Sequence, residues 1–149
     1  MKILGIRCAK DRIIWALLEG ASRDDAHVTK YATSSAPPLD RGYQLAWIRK
    51  EVNEILNQSS PDHIALRIVD AGGKGNSLPR AETEGVIQEA IATRDIPATR
   101  YYSATIRGKL SAKKSADVIE AIAALPEVSA TPTARRDPVL AAFLTFPKG

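Results

Sequence analysis

The stretch Lys2–Glu19, KILGIRCAKDRIIWALLE, constrains the fold more than any other part of this sequence. A short apolar run, Ile3 to Ile6, is followed by a turn at Ala9–Lys10–Asp11. A second apolar run, Ile13 to Leu18, comes next. Two strand formers this close predict a β-hairpin whose first strand lies inside a sheet. Arg7 and Cys8 fall where that strand ends. The chain has 149 residues, 44% of them hydrophobic. That is enough for one domain spanning residues 1–149 with a packed core, and it excludes a largely disordered chain. The apolar runs are too short to span a membrane. Arg7 interrupts the first run too early for a secretory signal, so a cytoplasmic location is expected. The single cysteine, Cys8, excludes an internal disulfide and any cysteine-based metal cluster.

Downstream, the pattern alternates strands and helices. Ala26 to Ser34 alternates weakly and predicts a third, more exposed strand. A helix is expected from about Asp40 to Asn57, with Tyr43, Trp47, Ile48, Val52, Ile55 and Leu56 on one apolar face. His63 to Val69 reads as a central strand, with His63 a structural residue. Arg67 near its C-terminal end is a charge that a sheet tolerates only when paired or placed at the open end. Pro79 starts a second helix, with Ser77 or Leu78 just outside it. Glu82 and Glu84 stand two apart, so they do not share a helix face. Thr99 to Tyr102 predicts a fifth strand, on which only one of Tyr101 and Tyr102 faces outward. Short helices are expected from Ser103 to Leu110 and from Ser115 to Leu125, the latter with Val118, Ile119, Ile122 and Leu125 on one face. Residues 126–135 read as a loop. Asp137 is expected as the N-cap of a last helix, with Pro138 at its first position. The order predicts an α/β layout with a mixed sheet.

The net charge of +4 is unevenly placed. Residues 1–93 balance 12 bases against 12 acids, whereas residues 94–149 carry 9 bases and 5 acids. Arg94, Arg100, Arg107, Lys109, Lys113 and Lys114 face a single acid, Asp95, within their stretch. Such a segment suits an anionic partner, DNA or RNA among them, or serves as a solvated basic surface. The loop Asp70–Ala71–Gly72–Gly73–Lys74–Gly75–Asn76–Ser77 has glycines and a lysine suited to a phosphate. It lacks the Lys-then-Ser/Thr spacing of a nucleotide-binding P-loop. Lys74 remains a candidate phosphate contact.

Three stretches together resemble the ribonuclease H-like superfamily, most closely its RuvC-type branch of Holliday junction resolvases. They are Ile3–Leu4–Gly5–Ile6–Arg7, Ile64–Ala65–Leu66–Arg67–Ile68 and Asp137–Pro138–Val139–Leu140–Ala141–Ala142. A further likeness is to a little-characterised bacterial family of the same superfamily. It rests on Gly73–Lys74–Gly75, Glu84–Gly85–Val86–Ile87–Gln88 and Ser103–Ala104–Thr105–Ile106–Arg107. The resemblance implies a ribonuclease H-like mixed five-stranded sheet flanked by helices. It also implies an acidic residue at the positions held here by Arg7 and Arg67.

Two-metal phosphodiester cleavage needs carboxylates from several elements converging on cations roughly 4 Å apart. Arginine cannot ligate Mg²⁺ or Mn²⁺. The acids left as catalytic or metal-holding candidates are Glu84, Asp137, Asp70 and Asp11. Arg7 and Arg67 instead suit fixed cations that grip a phosphate or pair internally with Asp137 and Glu84. The leading expectation is a non-catalytic or strongly altered nuclease-like domain that needs no cofactor. It would bind nucleic acid through Arg7, Arg67, Lys74, Arg107, Lys109, Lys113 and Lys114. The alternatives are a Mg²⁺- or Mn²⁺-dependent nuclease and a protein–protein scaffold; a homodimer is compatible with each.

Overall fold

A computed structural model describes residues 1–68 and 77–149. The opening hairpin forms as expected: β1 (Lys2–Ala9) and β2 (Arg12–Glu19) pair antiparallel along their whole length. β3 (His27–Ser35) adds antiparallel to β2 with one bulge between Leu17 and Leu18. Helix α1 (Arg41–Ser59) leads to β4 (His63–Arg67), and α2 (Leu78–Ala92) to β5 (Ala98–Tyr101). Both β4 and β5 join in parallel, β4 directly beside β1. The described sheet has five strands in the order β3-β2-β1-β4-β5. The chain closes with α3 (Ser103–Lys109), α4 (Ser115–Ala123), α5 (Pro126–Ser129), a 3₁₀ turn (Thr133–Arg135) and α6 (Arg136–Thr145). No described helix is long and apolar enough to cross a membrane.

Strand alternation splits the core in two. Leu4, Ile6 and Cys8 point to the face covered by α1 and α2, where they pack with Ile48, Val52, Ile64, Leu66 and Ile87. Ile3, Ala16 and Ala65 point to the other face, against Val139, Ala141, Ala142 and Phe143 of α6. Gly5 sets how closely α6 approaches. A Cβ built on Gly5 would lie 1.8 Å from the Pro138 carbonyl oxygen and 3.2 Å from the Ala142 Cβ. Only glycine fits there, so β1 carries the N-terminal turn of α6 directly beneath its own C-terminal half.

Several local expectations need correction. Tyr43 is 72% exposed and Ile119 70% exposed, so neither belongs to the buried face of its helix. In α1 the core contacts come from Ile48, Val52, Ile55 and Leu56, and in α4 from the partly buried Val118 and Ile122. Residues 126–135 hold α5 and the 3₁₀ turn. That turn runs straight into α6, so Arg135 is the N-cap and Asp137 lies inside the first turn. The Asp137 carboxylate is thereby free of capping duty and turns toward β1. Ser77 does cap α2, its hydroxyl accepting the Arg80 backbone N–H at 3.3 Å.

Candidate functional site

The C-terminal ends of β1 and β4 form one rim of the sheet. Arg7 and Arg67 are direct partners in the parallel register between these strands, so both side chains leave the same face. That is the α6 face. Arg7 NH1 donates to Asp137 Oδ2 at 2.6 Å, and each side chain of the pair keeps about a third of its surface exposed (35% and 36%). Arg67 is committed to main chain and hydroxyl: NH1 donates to the carbonyls of Ile68 and Tyr101, NH2 to Ser103 Oγ at 3.1 Å. It therefore ties the end of β4 to the end of β5 and the start of α3. Arg7 meets the expected internal partner; Arg67 does not, because Glu84 lies across the sheet.

Glu84 is buried on the α2 face, 3.5 Å from Arg80 Nε. Beside it lies the Cys8 thiol, its pKa pushed up to about 12, first by burial and then by the Glu84 charge. A thiol held protonated there is no nucleophile at neutral pH. Asp11 sits in the β1–β2 turn, where its nearest cation is Arg12 at 3.9 Å. Asp137, Glu84 and Asp11 thus share one end of the sheet but occupy three different surfaces. Asp70 and Lys74 lie outside the described residues.

A cavity of about 280 Å³ opens beside Arg67 and Asp137. Arg107 and Ser103 line its polar side; Ile106, Val118 and Leu140 line its apolar side. Lys109 ends α3 at a separate concavity shared with Arg23 and Lys148. Lys113 and Lys114 are exposed ahead of α4, and their backbone N–H groups donate to Asp117 Oδ2 at 3.2 and 3.0 Å. The six-cation stretch is not one patch. Arg94 bonds Asn53 and Asn57 of α1, and Arg100 bonds Gln88 of α2, so both serve the opposite face from Arg107. His63 sits at the far end of β4, with Nε2 2.8 Å from Thr99 Oγ1, its pKa lowered by burial.

Sequence reasoning missed Arg41 and Arg80. Arg41 bonds Glu82, Gln44, Thr83 and the carbonyls of Lys10 and Pro79, clamping the β1–β2 turn to α1 and α2. Nothing in its local pattern marks it. Arg80 did leave a signal: a cation in the first turn of a helix opposes the helix dipole and needs a carboxylate nearby.

No family model matches this sequence, and no curated protein matches it. Solved structures do. Thermus thermophilus RuvC superposes over 97% of this chain and 92% of its own, with a TM-score of 0.74 at 14% identity. The fold is the RuvC-type ribonuclease H-like fold. A structure of Thermus thermophilus RuvC in complex with a Holliday junction substrate gives 0.72 at 16% identity, covering 97% of this chain and 91% of that one. The yeast mitochondrial Holliday junction resolvase gives 0.55 at 9%, covering 95% and 75%.

A RuvC-type rim implies divalent metal ions held by carboxylates. Among the described residues, the side chains at this rim do not fit that group. Guanidinium groups stand at the ends of β1 and β4, and Asp137 is already paired with one of them. Among the described residues, no three His, Cys, Asp or Glu side chains come together as a metal cluster.

Proposed function

We propose that this chain is a nucleic-acid-binding domain of ribonuclease H-like fold whose rim holds a phosphate with arginine and does not cleave it. The observation that carries the reading is the in-register pair Arg7–Arg67, with Arg7 neutralising Asp137. A guanidinium offers five donors in a planar fork, and Arg7 spends one of them on Asp137 while staying partly exposed. Arg107 adds a second cation at the adjoining cavity. Lys109, Lys113 and Lys114 extend the positive surface beyond it. The resolvase neighbour bound to a Holliday junction supports the same class of partner. The chain acts as one domain, in the cytoplasm.

The test is a titration of fluorescent single-stranded, duplex and four-way-junction oligonucleotides at several salt concentrations. Binding is expected to weaken steeply with salt. Lys113→Ala with Lys114→Ala should lower the log–log slope by roughly 0.7–0.9 for each phosphate the protein no longer neutralises. Absence of saturable binding at low salt ends the reading and favours a protein–protein scaffold. The competing reading is a nuclease using Asp137, Glu84, Asp70 or Asp11. Two tightly bound Mn²⁺ or Mg²⁺ ions in calorimetry, abolished in Asp137→Asn, would establish it instead.

A further inference from the structure

Two opposite charges line the cavity between α3, α4 and α6 without meeting. Arg107 of α3 and Asp137 of α6 both contribute to its wall. Asp137 accepts from Arg7 through Oδ2, and no other hydrogen bond reaches its carboxylate among the described residues. Arg107 makes no ion pair and no side-chain hydrogen bond among the described residues, so its five guanidinium donors are unused. Arg67 lines the same wall and is held by the carbonyls of Ile68 and Tyr101 and by Ser103, so its charge is fixed there. Two cations stand against one carboxylate that Arg7 already neutralises from outside. That balance suits a carboxylate on the ligand, and the remaining lone pairs of Asp137 suit a cationic donor on it.

The rest of the wall is aliphatic. Ile106 comes from α3, Val118 and Ile122 from α4, and Leu140 from α6. Ile119 lines the cavity too, yet it stays 70% exposed. An isoleucine this exposed at the lip of an apolar wall gains from any apolar group that covers it. Size narrows the choice further. The cavity measures about 280 Å³. Liquid water takes roughly 30 Å³ per molecule, so the space holds on the order of nine non-hydrogen atoms. That is less than a drug-sized ligand needs. A nucleotide is far too large to enter, whereas a molecule of leucine's size fits.

We propose that this cavity binds a free apolar α-amino acid of about leucine's size. Its carboxylate accepts from Arg107, beside the fixed charge of Arg67. Its ammonium donates to Asp137. Its side chain lies against Ile106, Ile122 and Leu140 and brings Ile119 under cover. An α-amino acid carries both charges on one short backbone, so it bridges a cation and a carboxylate that line one small cavity without forming an ion pair. A plain fatty acid would leave Asp137 without its donor. An amine would leave the arginines facing each other's charge. Glycine would leave the aliphatic wall wet. The cavity adjoins the rim, but this assignment needs no nucleic acid and does not rest on the reading above.

Isothermal titration calorimetry of the full chain with L-leucine, without oligonucleotide and up to about 10 mM ligand, tests this. Saturable binding with a Kd below about 1 mM is expected. Isocaproate, isoamylamine and glycine each lack one of the three features, and each should bind roughly tenfold more weakly or worse. Asp137→Asn should weaken leucine roughly tenfold and leave isocaproate no weaker, a split that misfolding would not produce. Ile119→Ser changes an exposed residue, so its unfolding midpoint should match the wild type while leucine binds about threefold more weakly. Leucine that never saturates overturns the proposal. So does isocaproate or glycine binding as tightly as leucine, Asp137→Asn weakening leucine and isocaproate alike, or affinity unmoved by both variants. The oligonucleotide titration described above can succeed or fail whichever of these results is found.

Discussion

On the α1/α2 side of the rim, Arg41 reaches one side-chain acid, one amide, one hydroxyl and two carbonyls. On the α6 side, Arg7 makes one ion pair and leaves about a third of its surface to solvent. The same residue type serves opposite ends within a single edge. Where large aliphatic side chains bury the sheet, the guanidinium is saturated and its role is to hold three segments together. On β1, where α6 presses its alanines against the strand, Arg7 keeps donors for something else, whereas Arg67 on the same face is spent on the carbonyls of Ile68 and Tyr101 and on Ser103. The comparison teaches that charge at this rim becomes structural or available according to the acceptors around each guanidinium.

The largest effect should come from the close approach that makes the α6 side shallow. Gly5→Leu drives a side chain into the Pro138 carbonyl and should destabilise by about 3 kcal/mol or more in chemical unfolding. It should also push Asp137 away from Arg7. Gly5→Leu with an unchanged midpoint would show that α6 yields easily and that its closeness means nothing.

Next come the two arginines, measured side by side. Arg41→Ala leaves several partly buried acceptors unpaired and should cost about 2–3 kcal/mol. Arg7→Ala breaks a pair that solvent screens and should cost no more than about 1 kcal/mol, while weakening oligonucleotide binding severalfold. Equal stability losses would erase the distinction between the two sides. A binding loss for Arg41→Ala alone would invert it.

The smallest effect concerns the dryness of the α1/α2 side. The folded Cys8 thiol titrates near 12, against 9.0 when exposed. Above pH 9 the unfolded chain gives up this proton and the folded chain keeps it, so stability falls as pH rises. The thiol's share approaches about 1.4 kcal/mol per pH unit and ends near the folded value. Cys8→Ala should show a flatter stability curve between pH 9 and 10. Identical curves would mean that water reaches the thiol.

Much of this was legible in the sequence. The Ile3–Ile6 and Ile13–Leu18 runs gave the hairpin, and the spacing of Ile48, Val52, Ile55 and Leu56 gave α1. Arg7 and Arg67 could each be placed near a strand end because each closes an apolar run; that the two strands are neighbours was implied by the resemblance to the ribonuclease H-like superfamily. What could not be read was which face each acid would occupy. Glu84 is one strand layer away from Arg67, a fact fixed by where α2 lands and not by its own spacing. Asp137 looked like a cap because local rules favour Asp before Pro; the 3₁₀ turn ahead of it, set by tertiary packing, moved the helix start and released the carboxylate. Arg41 joins segments 31 and 42 residues away, and no local window contains such partners.

The pairing of Arg7 with Asp137 spans 130 residues. β1 leaves the ribosome well before α6 does. At roughly 5–20 residues per second, Ile3, Ala16 and Leu18 wait on the order of ten seconds for their cover. During that interval the hairpin, β3 and α1 can already close the other face. The nascent protein is then a half-covered sheet, and it passes through this vulnerable stage every time it is made.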